Sequence, residues 1–149
     1  MRVLIVDDNE LLLEVAKATL SAAGFEVMTS DSALGFSAAL ASSQPHVALV
    51  DVLMPALNGD QLIELARRQR SHRRGGRESA KHGPECVFIL HSNLPEADLR
   101  DLAQRCGASG FIRKSLRPTE LGVQLQDFLR REKLPVPGSP PPSQGRKSR

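Results

Sequence analysis

The chain has 149 residues, of which 40% are hydrophobic and 25% charged, as is typical of a single soluble globular domain. It contains no apolar run of the roughly 20 residues that a membrane span needs and no signal-peptide pattern, so a cytoplasmic protein is expected. The net charge of +3 is unevenly distributed, because residues 67–82 hold seven basic side chains against one acid and residues 146–149 are basic, which leaves an acidic body.

Short apolar runs alternate with helix-like segments along the whole chain. Strands are predicted at residues 3–6, 25–29, 47–50, 86–90 and 110–113. Helices are predicted at about residues 10–23, 32–44, 60–70, 96–106 and 118–131. Five strands that alternate with five helices predict an α/β fold with a parallel sheet covered on both faces. The expected topology is flavodoxin-like, a doubly wound five-stranded sheet in the order 2-1-3-4-5.

One domain is predicted over residues 1–133, together with two segments of irregular composition. Residues 71–84 carry Gly75-Gly76, Gly83-Pro84 and most of the positive charge, which indicates a basic loop insertion. Residues 134–149 are rich in Pro, Gly, Ser and basic side chains and have no periodicity, which is typical of a disordered tail. Cys86 and Cys106 fall in apolar patterns without metal-ligand spacing, so buried thiols are expected rather than a disulfide.

The third predicted strand ends in a carboxylate that stability alone does not explain. Residues 47–50 are apolar, Asp51 follows them, and Met54-Pro55 then turns the backbone out of any regular element. Burying a charge is costly unless it is paired or bound to a metal. Asp51 is therefore the candidate reactive group.

Polar side chains follow three other predicted strands, where parallel strands bring their carboxyl ends to one edge. Asp7 and Asp8 follow the first strand, Ser92 the fourth and Lys114 the fifth. Three clustered carboxylates repel one another unless a cation joins them, and Mg²⁺ suits a few carboxylates, waters and a phosphate. Asp51 could then attack a phosphoryl group. Lys114 would neutralise charge on its oxygens, and Ser92 would donate a hydrogen bond to one of them.

This arrangement resembles the receiver domain of two-component response regulators, of the stand-alone type. The resemblance runs from about residue 2 to residue 131. It rests on Asp7-Asp8, on Asp51 with Met54-Pro55 and Gly59 behind it, on Ser92, and on Lys114 after Phe111. Each motif alone is common, but all of them occur here in order and each at a strand end.

The resemblance implies a set of roles for these residues. Asp51 would accept a phosphoryl group from a sensor histidine kinase or phosphotransfer protein. Asp8, Asp51 and the backbone carbonyl of Leu53 would ligate Mg²⁺, with Asp7 acting mainly through water, and Ser92 and Phe111 would form the switch pair. A downstream protein would bind the face formed by the fourth helix, fifth strand and fifth helix. Apart from Mg²⁺-dependent self-phosphorylation and slow self-dephosphorylation, no enzyme activity is expected.

The sequence departs from the family pattern at two positions. Ser115 follows Lys114 where the family usually has proline, which makes the usual cis peptide less secure. Asn93 replaces the usual small residue beside Ser92, which would hinder the approach to Asp51. The two positions that tune access of water to the phosphate hold apolar side chains, Leu53 and Leu94, so slow self-dephosphorylation is expected.

Other interpretations stay open at this stage. The departures keep alive a pseudo-receiver that binds proteins without phosphorylation. A phosphohydrolase would want an acid two residues after the nucleophile, where Leu53 stands. Taken singly, Asp7-Asp8 suit a helix start, Ser92 a helix cap, Lys114 a solvated strand end, and His91 a polar rim position.

The basic loop also has two interpretations. It is either a solvated insertion, which we prefer, or a site for phosphate backbones or an acidic partner. It has no interleaved aromatic side chains, and the chain shows no helix-turn-helix or other nucleic-acid module, so no DNA-binding domain is expected.

Overall fold

The computed structural model describes residues 1–74, 85–114 and 116–137, with only the backbone of residues 70–74. The strands are β1 (Arg2–Val6), β2 (Glu26–Ser30), β3 (Val47–Val50), β4 (Val87–Ser92) and β5 (Gly110–Arg113). The helices are α1 (Glu10–Ala22), α2 (Ala33–Ser43), α3 (Gly59–Arg74), α4 (Glu96–Cys106) and α5 (Leu121–Arg131), the last preceded by a 3₁₀ turn at Pro118–Glu120.

The five strands form one parallel sheet in the order β2-β1-β3-β4-β5, which confirms the predicted flavodoxin-like topology. Val50 of β3 lies in register with Val6 of β1 on one side and Leu90 of β4 on the other. Because the strands are parallel, all their carboxyl ends lie at one edge of the sheet, and β1 and β3 are neighbours there.

Each face of the sheet has its own apolar core, since successive side chains in a strand point to opposite faces. On one face Leu4, Val50 and Leu90 pack with buried side chains of α2, α3 and α4. On the other face Ile5, Leu49 and Ile89 pack with those of α1 and α5. The central strands are therefore apolar throughout, as a sheet covered on both faces requires.

The observed helix and strand ends differ from the predicted ones in two places that matter here. Helix α3 continues to Arg74, so the first four residues of the predicted loop at 71–84 are helical. Residues 75–84 lie outside the described residues. Strand β4 ends at Ser92 instead of residue 90, which makes His91 and Ser92 part of the sheet.

The segment after α5 packs against the domain beyond the predicted boundary at residue 133. The Leu134 amide donates to the Leu129 carbonyl (2.8 Å), and Val136 is buried in the core under α1 and α5. Residues 138–149 of the predicted tail lie outside the described residues. The boundary at 133 therefore stays a prediction, and an ordered segment follows it to Pro137.

Two further expectations concern cysteine and membrane segments. Cys86 and Cys106 are both buried thiols and not a disulfide, as expected, and burial raises the pKa of Cys106. Within residues 1–74, 85–114 and 116–137, none of the helices has both the length and the apolar character to cross a membrane.

Gly59 holds the start of α3 against the end of β3. Its amide donates to the Val52 carbonyl (3.0 Å), and a Cβ placed on it would lie 2.0 Å from the Asp51 carbonyl oxygen. No side chain fits there, because that oxygen belongs to backbone that cannot rotate away. The glycine thus sets how closely α3 approaches Asp51.

Gly59→Ala should destabilise the domain by about 1–3 kcal/mol, because the added methyl must push α3 away from the Asp51 carbonyl. Urea unfolding measures this change. The sign is decisive, since helix propensity alone favours alanine over glycine by about 1 kcal/mol. A Gly59→Ala variant as stable as the wild type or more stable would contradict the contact, and Ala38→Gly at an exposed α2 position calibrates the propensity effect.

At the opposite edge of the sheet, His46, which precedes β3, forms hydrogen bonds with Arg2 of β1. The Arg2 amide donates to His46 Nδ1 (3.0 Å), and the His46 amide donates to the Arg2 carbonyl (3.0 Å). Burial lowers the pKa of His46, and the positive charges of Arg2 and the N-terminus lower it further. The accepting nitrogen must be unprotonated, which agrees with that direction.

Acidification should therefore lower the free energy of unfolding of the wild type through protonation of His46. The unfolded chain binds a proton on this ring more readily than the folded chain does, so stability falls as the pH drops below about 6.5. His46→Asn keeps an acceptor and removes the titration. The free energy of unfolding of the wild type should fall relative to that of the variant between pH 7 and pH 5. A difference that stays constant over this range would rule out the coupling.

Candidate functional site

The residues predicted to converge do meet at the carboxyl edge of the sheet. Asp7 follows β1, Asp51 follows β3, Ser92 ends β4 and Lys114 follows β5. Backbone hydrogen bonds extend the sheet through these positions, from the Asp51 amide to the Val6 carbonyl (2.8 Å) and from the Lys114 amide to the Ser92 carbonyl (3.0 Å). The side chains are thus held by sheet backbone and not by loops.

Lys114 forms the central contact of this edge. Its Nζ lies 2.6 Å from Asp7 Oδ2 and 3.2 Å from Asp51 Oδ2. All three side chains are largely buried, with 13% of the Lys114, 4% of the Asp7 and 6% of the Asp51 side chain exposed. One ammonium therefore bridges two buried carboxylates, which a solvated strand end would not do.

At this bridge one ammonium faces two carboxylates, so the negative charge exceeds the positive charge. Burial raises the pKa of Asp51, and the negative charge of Asp7 raises it further, while Lys114 and the Leu53 amide act in the opposite direction. The Leu53 amide lies 3.4 Å from Asp51 Oδ1. A second cation at this edge would relieve the repulsion between the carboxylates and favour the ionised Asp51.

The acidic cluster has the composition and size of a divalent cation site. One carboxylate oxygen from each of Asp7, Asp8 and Asp51 lies within 4.8 Å of the others. Asp8 is exposed whereas the other two are buried, so a cation here would keep access to water. A few carboxylates with room for waters are what Mg²⁺ prefers over a closed protein cage. The residues present therefore fit the ion.

Asp7 has a structural partner that the sequence pattern did not reveal. Its Oδ1 accepts a hydrogen bond from the Asn9 amide (2.9 Å), while Oδ2 faces Lys114. Asn9 itself caps α1 by accepting a hydrogen bond from the Leu12 amide (3.2 Å). The orientation of Asp7 is thus fixed from both sides.

Ser92 and Phe111 lie on one face of adjacent strands. Ser92 is 1% exposed, and the Leu94 amide lies 3.4 Å from its Oγ. Phe111 stands opposite Leu90 in the β4–β5 register, one step further from the edge, and is half-buried against the core under α4. The structure therefore puts Ser92 at the site and Phe111 behind it.

His91 lies closer to the charged groups than a polar rim residue would. Burial lowers its pKa to about 4, and the nearby Lys114 contributes in the same direction while Asp7 opposes it. The ring is therefore neutral at physiological pH and adds no charge to the site. The sequence interpretation ended the fourth strand at residue 90 and so did not assign His91 to the sheet.

The remaining singled-out residues surround the entrance. Asn93 is exposed, Leu53 is 58% exposed, and Leu94 is half-buried against the core. Ser115, on which the expectation about the cis peptide rests, lies outside the described residues.

Comparisons with known proteins agree on one family. Residues 3–126 match the family model described as the response regulator receiver domain. The chain is 30% identical over 131 residues to the transcriptional regulatory protein GltR of Pseudomonas aeruginosa, covering 87% of this chain and 49% of that protein. It is 22% identical over 138 residues to the alkaline phosphatase synthesis transcriptional regulatory protein PhoP of Bacillus subtilis, covering 93% of this chain and 52% of that protein. The chain thus spans about half the length of these curated relatives.

A solved structure shows the same fold. The chemotaxis protein CheY4 of Vibrio cholerae superposes with a TM-score of 0.68 at 22% sequence identity, over 87% of this chain and 96% of that one. At this identity the similarity concerns the fold. The family match covers most of the chain and includes every residue of the site described above. The chain therefore belongs to the response regulator receiver domain family of two-component systems.

Proposed function

We propose that this chain is the phosphoacceptor of a two-component phosphorelay and that a histidine kinase or phosphotransfer protein phosphorylates Asp51. The contact that carries the proposal is that of the Lys114 ammonium, which lies 3.2 Å from Asp51 Oδ2, with both side chains largely buried. An ammonium beside a buried carboxylate at a strand end serves transfer of a group that brings several negative oxygens. The family supports the same function.

In this proposal the Asp51 carboxylate attacks the phosphorus atom of a phosphohistidine. A P–O bond to Asp51 forms as the P–N bond to the imidazole breaks. The bonding electron pair stays on that nitrogen, and the ring, which as a phosphoimidazolium carries a proton on its other nitrogen, leaves as neutral imidazole. Lys114 then pairs with the phosphoryl oxygens in place of the Asp51 carboxylate oxygen that it now contacts. Its second partner, Asp7, keeps the ammonium at the site during this exchange.

Asp8, Asp51 and the carbonyl of Leu53 would hold Mg²⁺, with Asp7 contributing mainly through water. When bound, the ion neutralises negative charge on the phosphoryl group and on the clustered carboxylates. The three aspartates support this assignment because their oxygens lie within 4.8 Å of one another. The Leu53 amide beside Asp51 Oδ1 places that residue's backbone at the cluster.

Signalling would proceed through Ser92 and Phe111. The Ser92 hydroxyl would turn toward the phosphoryl group, and the ring of Phe111 would move inward behind it. The half-buried position of Phe111 beside β4 supports this, since the ring has both a core contact and an exposed side. The face formed by α4, β5 and α5 would change with it and bind the downstream protein.

Exposed leucines on three elements at the carboxyl edge support docking of a kinase there. Leu11 in the first turn of α1, Leu53 after β3 and Leu116 after β5 are 68%, 58% and 102% exposed. Apolar side chains around a charged pocket suit a partner that must exclude water before transfer. We place the protein in the cytoplasm, as expected for a partner of such kinases.

Incubation with Mg²⁺ and a small phosphodonor should add one phosphoryl group to the wild type and none to Asp51→Asn. The amide keeps the shape of the side chain but cannot attack phosphorus. Intact-mass spectrometry measures the adduct. Asp101→Asn is the matched control, because it removes an exposed carboxylate on α4 and should leave the adduct unchanged.

Two outcomes would contradict the proposal. Absence of an adduct on folded wild type would favour the phosphorylation-independent pseudo-receiver. Turnover of the donor far beyond one equivalent would favour a phosphohydrolase instead.

The phosphorylated wild type should lose its phosphoryl group over minutes or longer, because the apolar side chains of Leu53 and Leu94 do not position an attacking water. Leu53→Asn, which offers an amide at the exposed position, should shorten the lifetime several-fold. Phosphate release after removal of the donor measures both rates. Leu65→Asn on α3 is the matched control, and decay of the wild type within seconds would refute the assignment.

A further inference from the structure

A groove between β5 and α5 is a concave surface that the proposed phosphoryl transfer does not use. It has a volume of about 610 Å³ and is lined by Phe111, Ile112, Arg113, Gln124, Asp127, Arg130 and Arg131. Strand β5 is at the end of the sheet and pairs with β4 alone among the described strands. One wall of the groove is therefore an open strand edge, which can accept an extended segment.

The charge of the groove is positive, and part of it is not neutralised. Arg130 pairs with Asp127 (2.9 Å), which removes one cation and the single acid. Arg113 and Arg131 are exposed and form no ion pair with any residue in the described ranges. The guanidinium of Arg131 lies 6.0 Å from the centre of the Phe128 ring, a cation–π contact that restrains it. Two exposed guanidiniums without an ion-pair partner in the described ranges favour carboxylates beside this strand edge.

We propose that this groove binds an extended acidic segment of a partner protein. Its carboxylates would pair with Arg113 and Arg131 while its backbone lies along β5. Phe111, the ring proposed to move on phosphorylation, lines the groove. The acidic segment would therefore belong to the downstream partner of the proposed function. Control of its binding by phosphorylation rests on that proposed function. Binding to the unphosphorylated chain does not depend on it.

Other occupants fit the groove less well. A nucleic acid would need more cations than these two. A second copy of the chain would have to offer acids, but Glu96 and Asp101 on the neighbouring α4 already pair with Arg100 and Arg105 of the same helix. A partner segment with unpaired carboxylates needs only these two cations.

Fluorescence anisotropy with a labelled short peptide of alternating glutamate and valine tests the proposal on the full chain. The wild type should bind this peptide and not the matched lysine–valine peptide. Replacing Arg113→Gln and Arg131→Gln together should weaken binding about fivefold, as expected for two solvent-exposed ion pairs. Lys17→Gln with Arg68→Gln removes two exposed cations elsewhere and should leave the affinity unchanged.

Four results would overturn the proposal. They are no binding at low salt, equal binding of the two peptides, a self-association that the groove variant abolishes, and tighter binding of duplex DNA that the same variant abolishes. If the groove variant does not fold, NMR chemical-shift changes in the wild type on adding the acidic peptide locate the binding site. Changes that fall outside β5 and α5 also overturn the proposal. The phosphodonor assay on the same samples reports separately on Asp51.

Discussion

The ammonium of Lys114 between Asp7 and Asp51 is the interaction on which the carboxyl edge of the sheet depends. It joins residues that follow β1, β3 and β5, which are far apart in the chain. Breaking a buried pair leaves an uncompensated charge, so loss of the lysine would cost far more than a surface ion pair contributes. The same contact keeps Asp51 near a cation while burial acts to protonate it. Stability and proposed reactivity thus share one group.

The contacts around this bridge restrict it to one arrangement. The Asn9 amide holds Asp7 from the side of α1, and Gly59 allows α3 to press against the Asp51 carbonyl. The ring of His91, whose pKa is lowered to about 4 by burial, stays neutral near this edge and adds no charge to it. Each of these neighbours is held by a strand end or helix start. The site is therefore preorganised by the fold, which is what electrostatic stabilisation of a transferring group requires.

Much of the fold and of the site could be predicted, because burial and charge leave a direct pattern in the sequence. Apolar runs bounded by Asp7, Asp51 and Lys114 predicted both the strands and the edge where they converge. The fourth strand was placed two residues short because His91 and Ser92 are polar, and only pairing with β5 reveals that they belong to the sheet. Residues 71–74 and Val136 lie in segments whose composition favours loops, yet the former are helical and the latter is buried. For Val136, packing in the core overrides the local preference.

The segment at Leu134–Pro137 has a consequence for how a signal leaves the domain. Pro137 lies beside Gly24, at the turn where β2 begins, which is the amino edge of the sheet. Whatever the chain carries after Pro137 is therefore attached about 15 Å from the carboxyl edge, the length of a strand of this size. A change at Asp51 does not contact this attachment point directly. The structural change has to be transmitted along the strands or through α5, whose last turn accepts a hydrogen bond from the Leu134 amide.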